Sequence, residues 1–244
     1  MLDFISISSR WAEFVASKDF QEAMKLVRTQ FLTATWETVY ATLLSTLFAI
    51  IIGLPLGVIL VAGEKGGVMP LPSPLVKALG TVINLLRSIP FTILMVLVIP
   101  LTRAIMGTSL GTAASIVPLV IAAFPFVARL VESSLREINP NIIEAAQSMG
   151  ASPIKIITKV MIPESVPSLL ANFTIAVTTI LGYTAMSGII GGGGLGMIAQ
   201  SYGYQRYNTV VMILCVILLV ILVQIFQTIG IRLATKSDKR LKNK

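Results

Sequence analysis

Histidine is absent from this chain of 244 residues, and cysteine occurs once, at Cys215. Without histidine the chain cannot build a Ser-His or Cys-His nucleophilic pair, and it lacks the commonest ligand of transition metals. A single cysteine excludes a disulfide bond within the chain. We therefore expect neither catalytic residues nor a metal site.

Charged residues are also scarce. They make up 12% of the chain, whereas soluble domains contain about 25%. Hydrophobic residues make up 55%, and the mean hydropathy is +0.87. Repeated uncharged runs of about twenty residues match a hydrocarbon layer roughly 30 Å thick. The composition predicts an all-α integral membrane protein in contact with lipid.

The sequence also lacks a phosphate-binding loop of the form G-x-x-x-x-G-K-[ST]. Energy from ATP would therefore have to come from a partner. Gly191, Gly193 and Gly196 do satisfy G-x-G-x-x-G. The dinucleotide-binding fold needs a strand before that motif, whereas a membrane span precedes it here. A flexible hairpin, in which glycine relieves backbone crowding, is the simpler interpretation.

Five apolar runs predict transmembrane helices. Prolines lie in or near several of them, and membrane helices tolerate proline where neighbours satisfy the freed backbone groups. The predicted spans cover residues 39–62, 76–101, 110–131, 166–190 and 209–233.

The sequence also predicts how the whole chain divides into segments. From Arg10 to Phe31, apolar residues recur at helical spacing, which predicts an amphipathic helix at the membrane surface or against the bundle. We therefore expect an amphipathic segment at residues 1–33, extracytoplasmic or interfacial. A transmembrane domain at 34–233 and a basic tail at 234–244 follow it.

Lysine and arginine predict the orientation, because they concentrate on the cytoplasmic side of a membrane protein. The net charge is +8, and the basic residues cluster in the tail and between the third and fourth spans. This placement predicts a cytoplasmic C-terminus and, with five spans, an N-terminus outside. It also accounts for the positive charge without nucleic acid, which we do not expect as a partner.

The loop at residues 136–165 is polar and punctuated by glycine and proline. Asn139 or Asn141 can cap a short helix that begins near Pro140. Gly150 can end that helix in a left-handed conformation.

A second short helix is predicted after this turn, with Ser152 as its N-cap and Pro153 as its first residue. Pro163 is expected to end it just before the fourth span. Two helices joined at a tight turn on the cytoplasmic face suit insertion into a groove of another protein.

The sequence "EAAQSMG", followed after a spacer by Ile162 and Pro163, resembles the EAA motif of permease subunits of bacterial ABC importers. In that family the loop docks on the ATP-hydrolysing subunit, and we therefore call residues 136–165 the coupling segment. The resemblance implies a docking surface at Glu144, Ala145 and Ala146. It also implies a turn at Gly150.

The resemblance extends over most of residues 35–207. The segments "LRSIPFTILMVLVIPLTR", "FPFVARLVESSLREI" and "GIIGGGGLGMIAQSYGYQRY" are similar to the methionine-import branch of these permeases. It implies a type I ABC importer permease fold in the bacterial inner membrane, with the glycine-rich stretch as a loop on the outer face.

The same resemblance implies several partners. They are a second copy of the chain, two ATP-binding subunits and an extracytoplasmic methionine-binding protein. No cofactor is expected in this chain, because the ATPase subunits would bind ATP and magnesium. The chain would move methionine by alternating access and would not itself be an enzyme.

Candidate pathway residues are Tyr183, Met186 and Ser187, because methionine suits apolar, polarizable contacts. Helix packing is the alternative for each of them. Arg87, within the second apolar run, is expected at the interface, in the pathway or at a subunit contact.

Three other functions remain to be distinguished from methionine import. A permease of the same class for another amino acid or small solute would carry the same motif. An intramembrane enzyme would need a nucleophile and base within the bilayer, and no lysine lies at that depth for a Ser-Lys pair. A passive channel or scaffold would not account for the EAA motif.

Overall fold

The computed structural model describes residues 13 and 15–238, which form helices joined by short turns, with no strand in this part of the chain. π-helical turns interrupt two of the helices and follow a third. The helices are α1 Lys18–Ala62, α2 Ser73–Ser88, α3 Phe91–Leu97, α4 Ile99–Met106, α5 Thr112–Arg136, α6 Pro140–Ser148, α7 Pro153–Ile190, α8 Gly194–Ile198 and α9 Thr209–Ser237.

Four helices are long and apolar enough to cross a membrane, namely α1, α5, α7 and α9, and α2 with α3 can form a fifth, broken span. The predicted all-α membrane architecture with about five spans is therefore confirmed. The rest of the chain, residues 1–12, 14 and 239–244, lies outside the described residues. It includes the start of the predicted amphipathic helix and most of the basic tail.

The second predicted span, residues 76–101, is not one straight helix. α2 ends at Ser88, and α3 starts at Phe91 after a bend of 102°. Pro90 causes the break, because proline lacks an N–H and disfavours helical geometry in the residue before it. Ile89 accordingly has an extended conformation, with φ −78° and ψ 124°.

α1 is much longer than the predicted first span. Its 45 residues correspond to about 67 Å at roughly 1.5 Å per residue, more than twice the hydrocarbon thickness of roughly 30 Å.

The N-terminal part of α1 packs against the start of α9. There the buried Asn208 donates from Nδ2 to the Asp19 carbonyl at 3.1 Å, and Arg206 pairs with Glu22 at 3.1 Å. Residues 18–31 thus lie against the bundle.

Small residues allow α1 and α5 to approach each other closely. A Cβ added to Gly53 would lie 2.8 Å from a methyl group of Val127, and one added to Gly57 would lie 2.6 Å from the Ala128 carbonyl. Small residues four positions apart, as Gly53 and Gly57 are, allow two helix backbones to approach this closely. This packing places the main apolar core between α1, α5 and α7.

Candidate functional site: the coupling segment

α6, the first helix of the coupling segment, has the predicted start and end. The Asn139 side chain accepts a hydrogen bond from the Asn141 N–H at 3.0 Å, and Pro140 is the first helical residue. Gly150 has a φ of +72°. Beyond the last turn, the Gly150 N–H donates to the Gln147 carbonyl and the Ala151 N–H to the Ala146 carbonyl. These two bonds form a Schellman motif, which ends the helix.

The second helix of the coupling segment differs from the prediction. Pro153 begins α7 and Ser152 is its N-cap residue, although the serine side chain makes no capping bond. Pro163 does not end this helix, which runs on to Ile190 as the membrane-spanning α7. A π-helical turn at Ile157–Met161 precedes the proline. Such a turn already interrupts the regular bonding pattern, so the missing N–H of Pro163 can be accommodated.

The exposed face of the coupling segment contains both apolar and charged groups. Glu144, Ala145 and Gly150 are exposed, and so are Met149 at 81% and Ile154 at 67%. Exposed apolar side chains of this size on a polar segment make this face a candidate surface for contact with another protein.

Ala146 points away from this face, in contrast to the sequence-based expectation. It is 5% exposed and belongs to the same buried cluster as Ile156 and Met161. Ile162 is half-buried, whereas Pro163 is exposed. The inward position of Ala146 follows from helix geometry, because positions 145 and 146 are separated by about 100° around a helix with 3.6 residues per turn.

The coupling segment has two stems, which are the end of α5 before it and the part of α7 after it. Hydrogen bonds join these two stems to each other. The Ser168 hydroxyl of α7 donates to the Glu137 carboxylate, just after α5, at 2.7 Å. One turn further along α7, the Asn172 amide donates to the Ser134 hydroxyl at 2.8 Å and to the Leu130 carbonyl at 3.2 Å. These bonds join α5 and α7 where the coupling segment leaves and re-enters the bundle.

The first stem is also joined to the turn that follows α1. Arg136 forms a bidentate ion pair with Glu64 and a second ion pair with Glu132, the latter at 2.9 Å. Hydrogen bonding from Arg136 lowers the pKa of the Glu64 carboxyl below its ordinary value.

The chain of charges continues from α5 to α2. Glu132 pairs with Arg129, whose guanidinium donates to the Gly80 carbonyl and to the Asn84 side chain, both at 2.9 Å. The sequence-based site did not include this network. Its only local signal is the spacing of Arg129, Glu132 and Arg136, since residues three or four apart are neighbours on a helix.

The three pathway candidates have different surroundings. Tyr183 stacks on Phe91 with ring centroids 4.4 Å apart, and Met186 is 46% exposed. Ser187 is buried, and its hydroxyl donates to the Thr184 carbonyl of its own helix at 2.7 Å. The hydroxyl of Ser187 is therefore engaged within α7, whereas Met186 faces outward from the bundle.

The glycine-rich turn between α7 and α8 is tightly packed, unlike the flexible hairpin expected from the sequence. A Cβ on Gly188 would lie 2.3 Å from the backbone of Gly196. The Glu37 carboxylate accepts a hydrogen bond from the Gly194 N–H at 2.8 Å, and the Thr38 hydroxyl accepts one from the Leu195 N–H at 2.9 Å. Two side chains of α1 thus hold the start of α8. No local sequence pattern indicated this contact.

A family of membrane transport proteins matches most of the chain. Residues 53–233 match the family described as "Binding-protein-dependent transport system inner membrane component". The chain belongs to this family. The resemblance based on the EAA motif is therefore confirmed, and the protein is an inner-membrane permease subunit of an ABC importer.

Two similar proteins are both named as permeases of D-methionine transport systems. The permease is 49% identical over 209 residues to the "Probable D-methionine transport system permease protein MetI" of Vibrio cholerae, with 86% of this chain and 92% of the relative covered. It is 46% identical over 153 residues to the "D-methionine transport system permease protein MetI" of Escherichia coli K12, with 63% of this chain and 70% of the relative covered.

Solved structures share its fold. A chain described under "Inward facing conformations of the MetNI methionine ABC transporter" aligns with a TM-score of 0.84 at 44% identity, over 86% of the permease and 96% of that chain. A chain of an amino acid ABC transporter aligns with a TM-score of 0.73 at 18% identity, over 90% of the permease and 99% of that chain. The permease thus has the type I ABC importer permease fold.

Proposed function

We propose that this permease imports methionine, the L-isomer and also the D-isomer, driven by ATP hydrolysis in a separate subunit. The observation that carries the proposal is the 49% identity to a relative named for D-methionine transport, which extends over 86% of the chain. The structural match to a methionine transporter at 44% identity supports the same substrate class.

In this proposal the coupling segment docks on the ATPase subunit. Glu144, Ala145 and Gly150 are exposed, and Met149 and Ile154 add apolar surface beside them. An apolar patch with adjacent charge suits a groove on a partner protein. Ala146 supports α6 from behind, and Ile162 and Pro163 lie in the following stem, on α7.

Movement of the docked segment would reach the membrane helices through its two stems. The α5 stem is joined to the turn after α1 and to α2 by the Arg136, Glu132 and Arg129 contacts, and the two stems are joined to each other by Ser168 and Asn172. Two copies of the permease, each with one ATPase subunit, would rock against each other and open the pathway alternately to each side. ATP and magnesium would be bound by the ATPase subunits, and this chain would supply no catalytic group.

The proposed orientation places the coupling segment and the C-terminus in the cytoplasm and the N-terminus outside. The distribution of lysine and arginine supports it. The division into residues 1–33, 34–233 and 234–244, with the coupling segment at 136–165, belongs to the same proposal. An extracytoplasmic binding protein would deliver substrate near the turn between α7 and α8.

The orientation can be tested by cysteine labelling. In a Cys215→Ser background, Gln205→Cys lies in the turn before α9 and Ser148→Cys lies in α6, and both native residues are exposed. We expect a membrane-impermeant maleimide to label the cysteine at 205 in intact spheroplasts and the cysteine at 148 only after permeabilisation. The reverse pattern would invert the topology.

The function is tested by uptake of labelled L-methionine into proteoliposomes that contain the permease and its ATPase subunit. The binding protein is added outside and ATP is enclosed inside. We expect uptake that requires both and that unlabelled L- or D-methionine competes away. ATP hydrolysis without methionine uptake would leave the permease assignment intact and point to another amino acid or small solute.

The docking surface is tested by Ala145→Trp, which places a large side chain on the exposed face of α6. We expect this variant to lose co-purification with the ATPase subunit. Ala104→Trp is the matched control, because Ala104 is an exposed alanine on α4, outside the coupling segment. Equal co-purification of both variants with the ATPase would contradict docking at this face.

A further inference from the structure

A cleft of about 350 Å³ lies beside the Glu64–Arg136 pair, between the turn after α1, the start of α2 and the second half of α5. Lys65, Lys77 and Arg129 line it. Both lysines are exposed, and neither forms an ion pair with any residue in the described part of the chain. The cleft therefore presents two positive charges that the protein itself leaves uncompensated.

The carboxylates in the cleft do not neutralise these lysines. Glu64 and Glu132 also line the cleft, but Glu64 is paired with Arg136, and Glu132 with Arg129 and Arg136. Four cations thus surround two carboxylates. The excess positive charge is carried by Lys65 and Lys77, whose long side chains can reach a ligand.

Arg129 is held in place, unlike the two lysines. Its guanidinium donates to the Gly80 carbonyl and the Asn84 side chain at 2.9 Å and pairs with Glu132. It is a fixed positive charge on the wall of the cleft, which attracts an anion without the entropy cost of ordering a long side chain.

The cleft lies beside the end of one apolar helix and the start of another. α1 ends at Ala62 and α2 begins at Ser73, so Lys65 and Lys77 lie close to the ends of membrane-associated helices. Leu60 and Val76 line the cleft but are buried, whereas Leu75 beside it is 57% exposed. Apolar surface next to basic side chains at the ends of such helices suits a ligand with a charged head and an acyl chain.

We propose that this cleft binds the phosphate-bearing headgroup of an anionic phospholipid. Lys65 and Lys77 contact the phosphate, Arg129 provides the fixed charge behind it, and the acyl chains lie along the exposed face of α2. Zwitterionic lipids bind more weakly, because their headgroup carries a cation that the same lysines repel. The lining of this cleft includes none of the residues proposed to dock on the ATPase or to line the substrate pathway.

The test uses the intact transporter complex in detergent with equal amounts of phosphatidylglycerol and phosphatidylcholine of the same acyl composition. Native mass spectrometry then counts the lipids that each complex retains. We expect a preference for phosphatidylglycerol that falls about fivefold for each of Lys65→Gln and Lys77→Gln, from the typical contribution of one basic residue near an anionic membrane. The double variant should lose the preference.

Lys25→Gln is the matched control, because Lys25 is an exposed lysine near the opposite end of α1. It should retain the wild-type lipid preference. An unchanged preference in the Lys65 and Lys77 variants would overturn the proposal, as would an equal loss in the control.

A second measurement separates a lipid from a free phosphate. Inorganic phosphate and glycerol 1-phosphate, at the same concentration as the lipid, should not displace phosphatidylglycerol, because they lack acyl chains. Displacement by inorganic phosphate would show a general anion site and would contradict lipid binding. A permease that retains phosphatidylglycerol but does not transport methionine would support lipid binding in the cleft and contradict the proposed function.

Discussion

Arg136, the last residue of α5, pairs through two nitrogens with the carboxylate of Glu64, which lies 72 positions earlier in the chain. The contact joins the stem of the coupling segment to the turn that follows α1. Each side chain is 45% exposed. A pair this open to water contributes little to global stability, about 0.2–1 kcal/mol, so its main effect is to position the stem.

Arg136→Gln and Glu64→Gln are therefore expected to separate ATP hydrolysis from transport. Each variant should assemble with the ATPase and hydrolyse ATP, but should move less methionine per ATP because the stem is no longer joined to the turn after α1. The measurement is the ratio of labelled methionine taken up to ATP hydrolysed in proteoliposomes. A double variant no worse than Arg136→Gln would show that the two residues act through one contact, whereas additive losses would contradict it.

Acidification should weaken the same contact. Hydrogen bonding from Arg136 lowers the pKa of Glu64 below its ordinary value of 4.5. The carboxylate therefore stabilises the folded state fully above that value, and the contribution disappears as the pH falls through the lowered pKa. We expect the difference in melting temperature between the wild type and Glu64→Gln to be largest near neutral pH, to begin shrinking below about pH 4.5 and to close only as the pH falls through the lowered pKa. A difference that grows on acidification would contradict stabilisation of the folded state by the ionised Glu64 carboxylate.

Gly150→Val should disrupt the turn of the coupling segment through the backbone alone. A Cβ at this position would meet nothing within 4 Å, but φ is +72°, a conformation that costs a β-branched residue about 1–2 kcal/mol. We expect weaker co-purification with the ATPase subunit. Gly150→Asn should retain the complex, because asparagine adopts left-handed geometry more readily. Equal binding of the ATPase by both variants would show that docking does not depend on the left-handed turn at Gly150.

Gly188→Ala should destabilise the turn between α7 and α8. Its added methyl group would lie 2.3 Å from the Gly196 backbone, which cannot give way as a flexible side chain would. Overpacking of this kind costs about 1–3 kcal/mol. Gly182→Ala in the same helix is the control, since nothing lies within 4 Å of its added Cβ. The readout is the melting temperature in detergent, which should fall for Gly188→Ala and hold or rise for Gly182→Ala.

Local sequence signals predicted several elements correctly. Asn139 and Pro140 indicated the start of α6, and Gly150 indicated its end, because capping depends on the few residues at a helix terminus. The prediction that Pro163 ends the second short helix was wrong, because α7 continues through this proline to Ile190. The π-helical turn at Ile157–Met161 that accommodates this proline has no reliable local pattern.

Contacts between distant residues could not be predicted in this way. Glu37 meets Gly194 across 157 positions, and no periodicity in either segment indicates the other. Ala146 rather than Ala145 faces inward because that side of α6 packs against Ile156 and Met161 of α7.

The sequence by itself determined that this protein is a helical membrane permease with a polar, EAA-containing segment between two spans. Apolar runs must form helices in lipid, since every backbone group has to be satisfied within its own segment. Tertiary structure decided which side chains meet at the helix ends. The Arg136, Glu132 and Arg129 network and the basic cleft beside it exist only because α1, α2 and α5 pack together, and the geometry of that packing is a property of the whole bundle.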